Sequence, residues 1–233
     1  MLLTIITIVV VSGALIIGAI WGTYGNLPDK TEGFLVGIAG GALLVSVILE
    51  LIKPSVEKAP LTWCMAFTSF GAILFTSLDY LVKEKWGSGK GSGLLAAVTL
   101  DGIPENLAMG VALIGAGPLS VAALCGSIFL SNLPEAAGGA REMSSKNHSK
   151  QKVLWLWVGT AILLSGCAIL GNIFLEHVAD PVLAYIRCVA AGAVVASLAI
   201  EVFPKAFKKD NYWAGLSTIL GLVMAYYLNS LGA

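Results

Sequence analysis

Residues 99–110 read TLDGIPENLAMG, and thirty residues on 129–139 read FLSNLPEAAGG. Both stretches lie in long apolar runs, and both set a proline directly before a glutamate: Pro104–Glu105 and Pro134–Glu135. A carboxylate inside an apolar span costs about 2.5–3.5 kcal/mol on insertion scales, so it is expected to face a bundle interior or a water-filled path. Asp101 and Glu105 are four residues apart, as are Ser131 and Glu135, and Asn132 is three from Glu135. At helical spacing each set shares one face. Pro104 cannot donate to the carbonyl of Leu100, nor Pro134 to that of Leu130. A freed carbonyl in lipid needs a partner. The pattern therefore predicts two helices, each presenting a carboxylate, a polar side chain and a loose backbone oxygen, which together suit a cation.

The rest of the chain supplies the setting. Of 233 residues 57% are hydrophobic and 12% charged, about half the charge usual for a soluble domain. The reading is an all-α membrane protein. Eight apolar segments are long enough to span: 2–21, 34–53, 61–82, 93–115, 118–140, 153–175, 182–204 and 212–231, in a single transmembrane domain over 1–233. The first of these lacks a basic leader region and an A-x-A site, and reads as a helix rather than a cleaved signal. Zero net charge excludes a basic field for nucleic acid. Cys64, Cys125, Cys167 and Cys188 stand singly in apolar runs, so neither a disulfide framework nor a thiolate site is indicated.

The connections are short. KEKWGSGKGSG (83–93) reads as a hinge and REMSSKNHSKQK (141–152) as the largest polar loop. The connections after segments 1, 3, 5 and 7 carry eleven basic residues: Lys30, Lys83, Lys85, Lys90, Arg141, Lys146, Lys150, Lys152, Lys205, Lys208 and Lys209. The other side carries Lys53 and Lys58. That bias places both termini outside the cytoplasm, and the small loops favour a compact protein of a prokaryotic inner membrane. GGALLVSVILELIKP in the second segment echoes AGAVVASLAIEVFP in the seventh, with Glu50 and Glu201 each ahead of a proline; segment 4 echoes segment 5. Similar text in segments of opposite direction predicts an inverted repeat, a common transporter design. Glu50 and Glu201 lie near helix ends, where they could also reach an interface. Asp79 reads as an interfacial acid beside Lys83, Arg187 as a possible partner for the buried acids, and His148 and His177 as solvated.

At these residues the sequence resembles the ZIP family of divalent-metal transporters, most closely its GufA-like branch. Where that family typically reads H-N-x-P-E-G, this chain has DGIPEN; where it reads roughly Q/H-N-x-P-E-G, the chain has SNLPEA. The seventh segment resembles the family's E-x-x-P-E stretch, with Lys205 in place of the second Glu. The resemblance implies an eight-helix bundle and a metal site between helices 4 and 5, formed here by Asp101, Glu105, Ser131, Asn132 and Glu135, with Glu201 contributing and Glu50 near the pathway. It implies a divalent cation (Zn²⁺, Mn²⁺ or Fe²⁺) as cargo rather than a bound cofactor, the bilayer and the metal as partners, and a homodimer as one possible assembly. Asp101 stands where the family usually has His, Gly102 where it has a ligand Asn, and Ser131 where it has Gln or His. Without imidazole or thiolate the set suits harder ions than zinc, and loss of the Asn side chain favours one principal site over two.

The chain lacks H-E-x-x-H and a phosphate-binding G-x-x-x-x-G-K-[ST], so neither a metalloprotease nor an ATP-driven pump is indicated. The alternatives to a metal carrier are a ZIP-like scaffold that serves as sensor or partner subunit, and a carrier of another solute.

Overall fold

The computed structural model describes residues 2–86, 91–115, 121–145 and 148–232, and these form helices and short connections without a strand. Eight helical rods follow one another: α1 (Leu2–Tyr24), α2 (Asp29–Val56), α3 (Leu61–Trp86), α4 (Gly91–Ala112), α5 (Ala122–Ser145), α6 (Lys150–Leu175), α7 (Asp180–Asp210) and α8 (Trp213–Gly232). Six of them, α1, α2, α3, α6, α7 and α8, are long and apolar enough to cross a membrane. α4 and α5 have the length, but their apolar text is interrupted by the Asp101–Asn106 and Ser131–Glu135 polar sets.

Several rods outrun the apolar segments that predict them. The 141–152 segment, expected as a polar loop, is mostly helix: α5 continues to Ser145 and α6 starts at Lys150, capped by the Ser149 hydroxyl, which accepts from Lys152 N–H at 3.3 Å. Hydropathy marks where side chains stop being greasy, not where backbone hydrogen bonding stops. The 83–93 hinge is likewise narrower than expected, with helix through Trp86 and again from Gly91. Its residues 87–90, Lys90 among them, lie outside the described residues, as does Lys146.

Pro104 and Pro134 are accommodated inside continuous helices. Pro54 and Pro204 are handled differently. α2 and α7 each loosen into one π-helical turn, Ile48–Ile52 and Leu198–Val202. In both, the residue just before the proline closes the turn by donating five residues back, Lys53 N–H to the Ile48 carbonyl and Phe203 N–H to that of Leu198. Proline cannot donate to the preceding turn, and a widened turn absorbs the mismatch. Each π turn carries one of the paired acids, Glu50 or Glu201.

Packing also recurs in two matching places. α2 crosses α8 so closely that a Cβ on Gly41 would lie 1.8 Å from the Thr218 carbonyl oxygen; α7 crosses α3 so that a Cβ on Gly192 would lie 1.8 Å from that of Thr68. Glu50 and Glu201 each follow nine residues beyond that glycine. Only a residue without a side chain permits such backbone contact. α2 and α7 are thereby drawn inward, while α3 and α8 present Trp63, Phe70, Ile73, Val223 and Tyr227 outward. The central core, with Leu43, Val47, Met109, Ile128, Val194 and Leu198, is built mainly from α2, α4, α5 and α7, with Ile8 and Val11 of α1 and Ala168 of α6 joining it. The two polar helices are part of it, and their packing there sets what their acids can face.

Candidate functional site

A cavity of about 1110 Å³ runs into one end of the bundle. Its inner wall carries Asp101 from α4, Ser131 and Glu135 from α5, and Glu201 from the π turn of α7. Four of the seven residues singled out in the sequence thus meet at one cavity. Asp101 is within electrostatic range of Glu135, Glu201, Glu105 and Asp79, and its Oδ1 accepts from Ser197 Oγ at 3.2 Å. Ser131 and Asp101 are buried; Glu135 and Glu201 keep some accessible surface, which the cavity supplies.

Glu105 and Asn132 lie deeper, 3% and 1% exposed, and do not line the cavity. Glu105 Oε2 and Asn132 Nδ2 are buried without a hydrogen-bond partner. A buried polar atom left unpaired costs about 1–3 kcal/mol, so these two point to a ligand or a rearrangement that would satisfy them. Among the described residues, no three His, Cys, Asp or Glu side chains converge tightly enough to hold one metal ion. The acids are neighbours around a path rather than a closed coordination shell.

Glu50 is brought elsewhere. It is buried, and accepts from Leu124 N–H at 3.0 Å, in the first turn of α5, with the Asn229 amide as a further partner. It caps a helix start, where orphan N–H groups favour an anion, and lies outside the cavity lining. Arg187 pairs with none of the buried carboxylates considered as its partners. Its guanidinium donates to the carbonyls of Val111 at 3.1 Å and Ile114 at 3.5 Å, closing the end of α4. A helix C-terminus attracts a cation as an acid does, through its unpaired carbonyls.

Gly102, the position without a ligand side chain, has a packing reason. A Cβ there would lie 2.4 Å from Leu164 Cδ1, so α6 fills the space that a longer residue would need.

Several site residues escaped sequence reading. Asp79, read as an acid beside Lys83, is 5% exposed, and Lys83 bridges it to Glu201. Ser197, which orients Asp101, looks like any small residue in an apolar run; its equivalent in α2, Ser46, pairs with Ser127 at 3.3 Å, so the repeat held the clue. At the cavity mouth Glu32 is fully buried yet meets Arg141 at 3.3 Å, Lys205 at 3.4 Å and Lys209. Arg141 also reaches Asp29 and the Leu27 carbonyl, each at 2.5 Å. Gly138 makes room for this knot, since a Cβ there would lie 2.2 Å from Glu32 Oε1. Nothing in the text around Glu32 distinguishes it from a solvated acid at a helix start.

No protein-family model matches the chain, and no curated protein matches it.

Proposed function

We propose that the protein is a ZIP-like carrier that moves a divalent cation through an eight-span bundle, along the carboxylates of α4, α5 and α7. The observation that carries this reading is the cavity: its mouth lies among Arg141, Lys205, Lys208 and Lys209, and it ends on Asp101, Ser131, Glu135 and Glu201. Acids at membrane depth are costly unless they serve a path. On the positive-inside rule the mouth is the cytoplasmic end, with both termini outside. The matched π turns and the matched glycine crossings support an inverted repeat relating α2 to α7 and α3 to α8. α4 and α5 complete the eight spans, their polar faces turned to the path and core rather than to lipid.

All candidate ligands are oxygens, apart from the amide of Asn132, which can also offer its oxygen. Such a set favours Mn²⁺ or Fe²⁺ over the N- and S-seeking Zn²⁺. Carboxylates bind metal in their deprotonated form, so uptake falls as the pH is lowered. The chain's own residues supply binding and orientation: Ser197 holds Asp101, and Glu105 waits one turn below it.

The test is uptake of Mn²⁺, Fe²⁺, Zn²⁺, Co²⁺, Mg²⁺ and Ca²⁺ into proteoliposomes, with Glu105→Ala alongside. Uptake of an ion that disappears in the variant supports the reading. Folded protein that takes up none of them refutes it. A second reading, a ZIP-like scaffold without transport, is favoured by the lack of a tight three-ligand cluster among the described residues and by Leu164 filling the space at Gly102; it requires Glu105→Ala to leave function unchanged.

A further inference from the structure

We propose that Lys83 is a built-in competitor of the transported cation: its ammonium holds Glu201 together with the buried Asp79, and a divalent cation must displace it from Glu201 to bind there. This inference rests on the carrier reading above. It deepens that reading by naming what selects the charge of the cargo.

The placement is specific. Lys83 and Asp79 are one turn apart on α3, with Nζ and Oδ2 at 2.8 Å. Asp79 is 5% exposed, so the partly exposed Lys83 side chain is tethered on a buried carboxylate. From that anchor Nζ also contacts Glu201 Oε1. Glu201 is one of the acids on the cavity wall, with Asp101 and Glu135 close by. A tethered monovalent cation therefore occupies one carboxylate of the group on which a mobile cation would act.

The molecule contains its own comparison. Asp79 lies eight residues beyond Gly71 on α3, and Asn229 eight residues beyond Gly221 on α8. Each of these glycines faces its own partner helix in the matched crossings: a Cβ on Gly71 would lie 2.0 Å from the Val189 carbonyl oxygen of α7, and one on Gly221 1.9 Å from that of Ile38 of α2. At the α2–α8 copy, Glu50 has only neutral donors, the Leu124 N–H on Oε1 and the Asn229 amide nearby, and its Oε2 is buried without a hydrogen-bond partner. The position corresponding to Lys83 is Ala233. A buried glutamate in a π turn of this fold is thus held with no cation on it among the described residues. The ammonium is added only in the copy whose glutamate lines the cavity. A charge of +1 on a flexible stem can be displaced by a divalent ion sharing several carboxylates, but less readily by Na⁺ or K⁺, which bring no more charge than Lys83 itself.

The experiment is equilibrium binding of radiolabelled Mn²⁺ to the detergent-solubilised full chain, with Lys83→Met and Lys83→Arg. Removing the competitor should tighten Mn²⁺ binding by about two- to fivefold in Lys83→Met, the range expected for loss of one partly exposed ion pair. Lys83→Arg, whose guanidinium can fork onto a carboxylate, should weaken it. Affinity that is unchanged or weaker in Lys83→Met overturns the proposal. Should Lys83→Met fail to elute as folded protein, Lys83→Arg decides alone, and unchanged affinity there overturns it. Wild-type protein that neither binds nor transports any divalent cation sinks the carrier reading and this inference with it. Mn²⁺ uptake that is lost in Glu105→Ala, beside affinity indifferent to Lys83, sinks this inference only.

Discussion

Replacing Gly192 by alanine tests the close crossing of α3 and α7. The added Cβ would sit 1.8 Å from the Thr68 carbonyl oxygen, 2.8 Å from its carbon and 3.0 Å from Ala72 N. All three are backbone atoms, so no side chain can swing aside. Ordinary contact needs roughly 3.4 Å, and α3 must move by about 1.5 Å at the crossing. Overpacking of this kind costs about 1–3 kcal/mol and occasionally more. Alanine recovers up to about 1 kcal/mol of helix propensity over glycine, and at a rigid contact this offsets only part. The expected net loss is about 1–2 kcal/mol. At about 2–4 °C per kcal/mol for a chain of this size, the melting temperature should drop by roughly 2–8 °C. Gly166, on α6, has open space where a Cβ would go, with nothing within 4 Å, so Gly166→Ala should hold or slightly raise stability. Gly41→Ala, at the matching α2–α8 crossing, should behave like Gly192→Ala. Thermal unfolding of purified protein in one detergent, followed by tryptophan fluorescence, compares the four proteins. If Gly192→Ala melts with Gly166→Ala, the backbones do not touch there and the reasoning is wrong.

Three more outcomes follow from the polar groups. Glu32→Gln should destabilise the protein by about 1–3 kcal/mol, because Arg141, Lys205 and Lys209 converge on a fully buried carboxylate, though their own partial exposure reduces the penalty; the same melting assay checks it. Ser197→Ala removes the hydroxyl that holds Asp101 Oδ1, at a net cost of about 0.5–1.5 kcal/mol, so the melting temperature should drop by roughly 1–6 °C and, on the carrier reading, Mn²⁺ uptake should fall several-fold. Uptake equal to wild type would mean that this bond does not position Asp101. Arg187→Met strips two carbonyls at the end of α4 of their donor and should lower stability by about 1–2 kcal/mol while leaving Mn²⁺ affinity intact. Loss of affinity without loss of stability would place Arg187 in the path instead.

The helices were legible because the signals that predict them are local. Apolar length gives the rods, and the eight segments appear within a few residues of their expected places. Their ends were not legible, since 141–145 and 150–152 stay helical although their side chains are polar. Of the residues the two Pro–Glu motifs mark, Asp101, Ser131 and Glu135 line one cavity, whereas Glu105 and Asn132 lie deeper and do not. The similar sequence around Glu50 and Glu201 goes with similar π turns but not with similar roles. Both sit in π turns before a proline, yet one caps the start of α5 and the other lines a cavity.

By itself, then, the sequence determined an all-helical chain with at least six helices fit for a membrane and two polar helices among them, because composition and short-range spacing act within a helix. Tertiary structure alone decided which acids share a cavity, that Lys83 lies on Glu201, that Arg187 serves a helix end, and that Glu32 is buried under three cations. Those outcomes depend on where separate helices cross. The crossings are set by backbone contacts at a few glycines, and no local pattern records which carbonyl each glycine will meet.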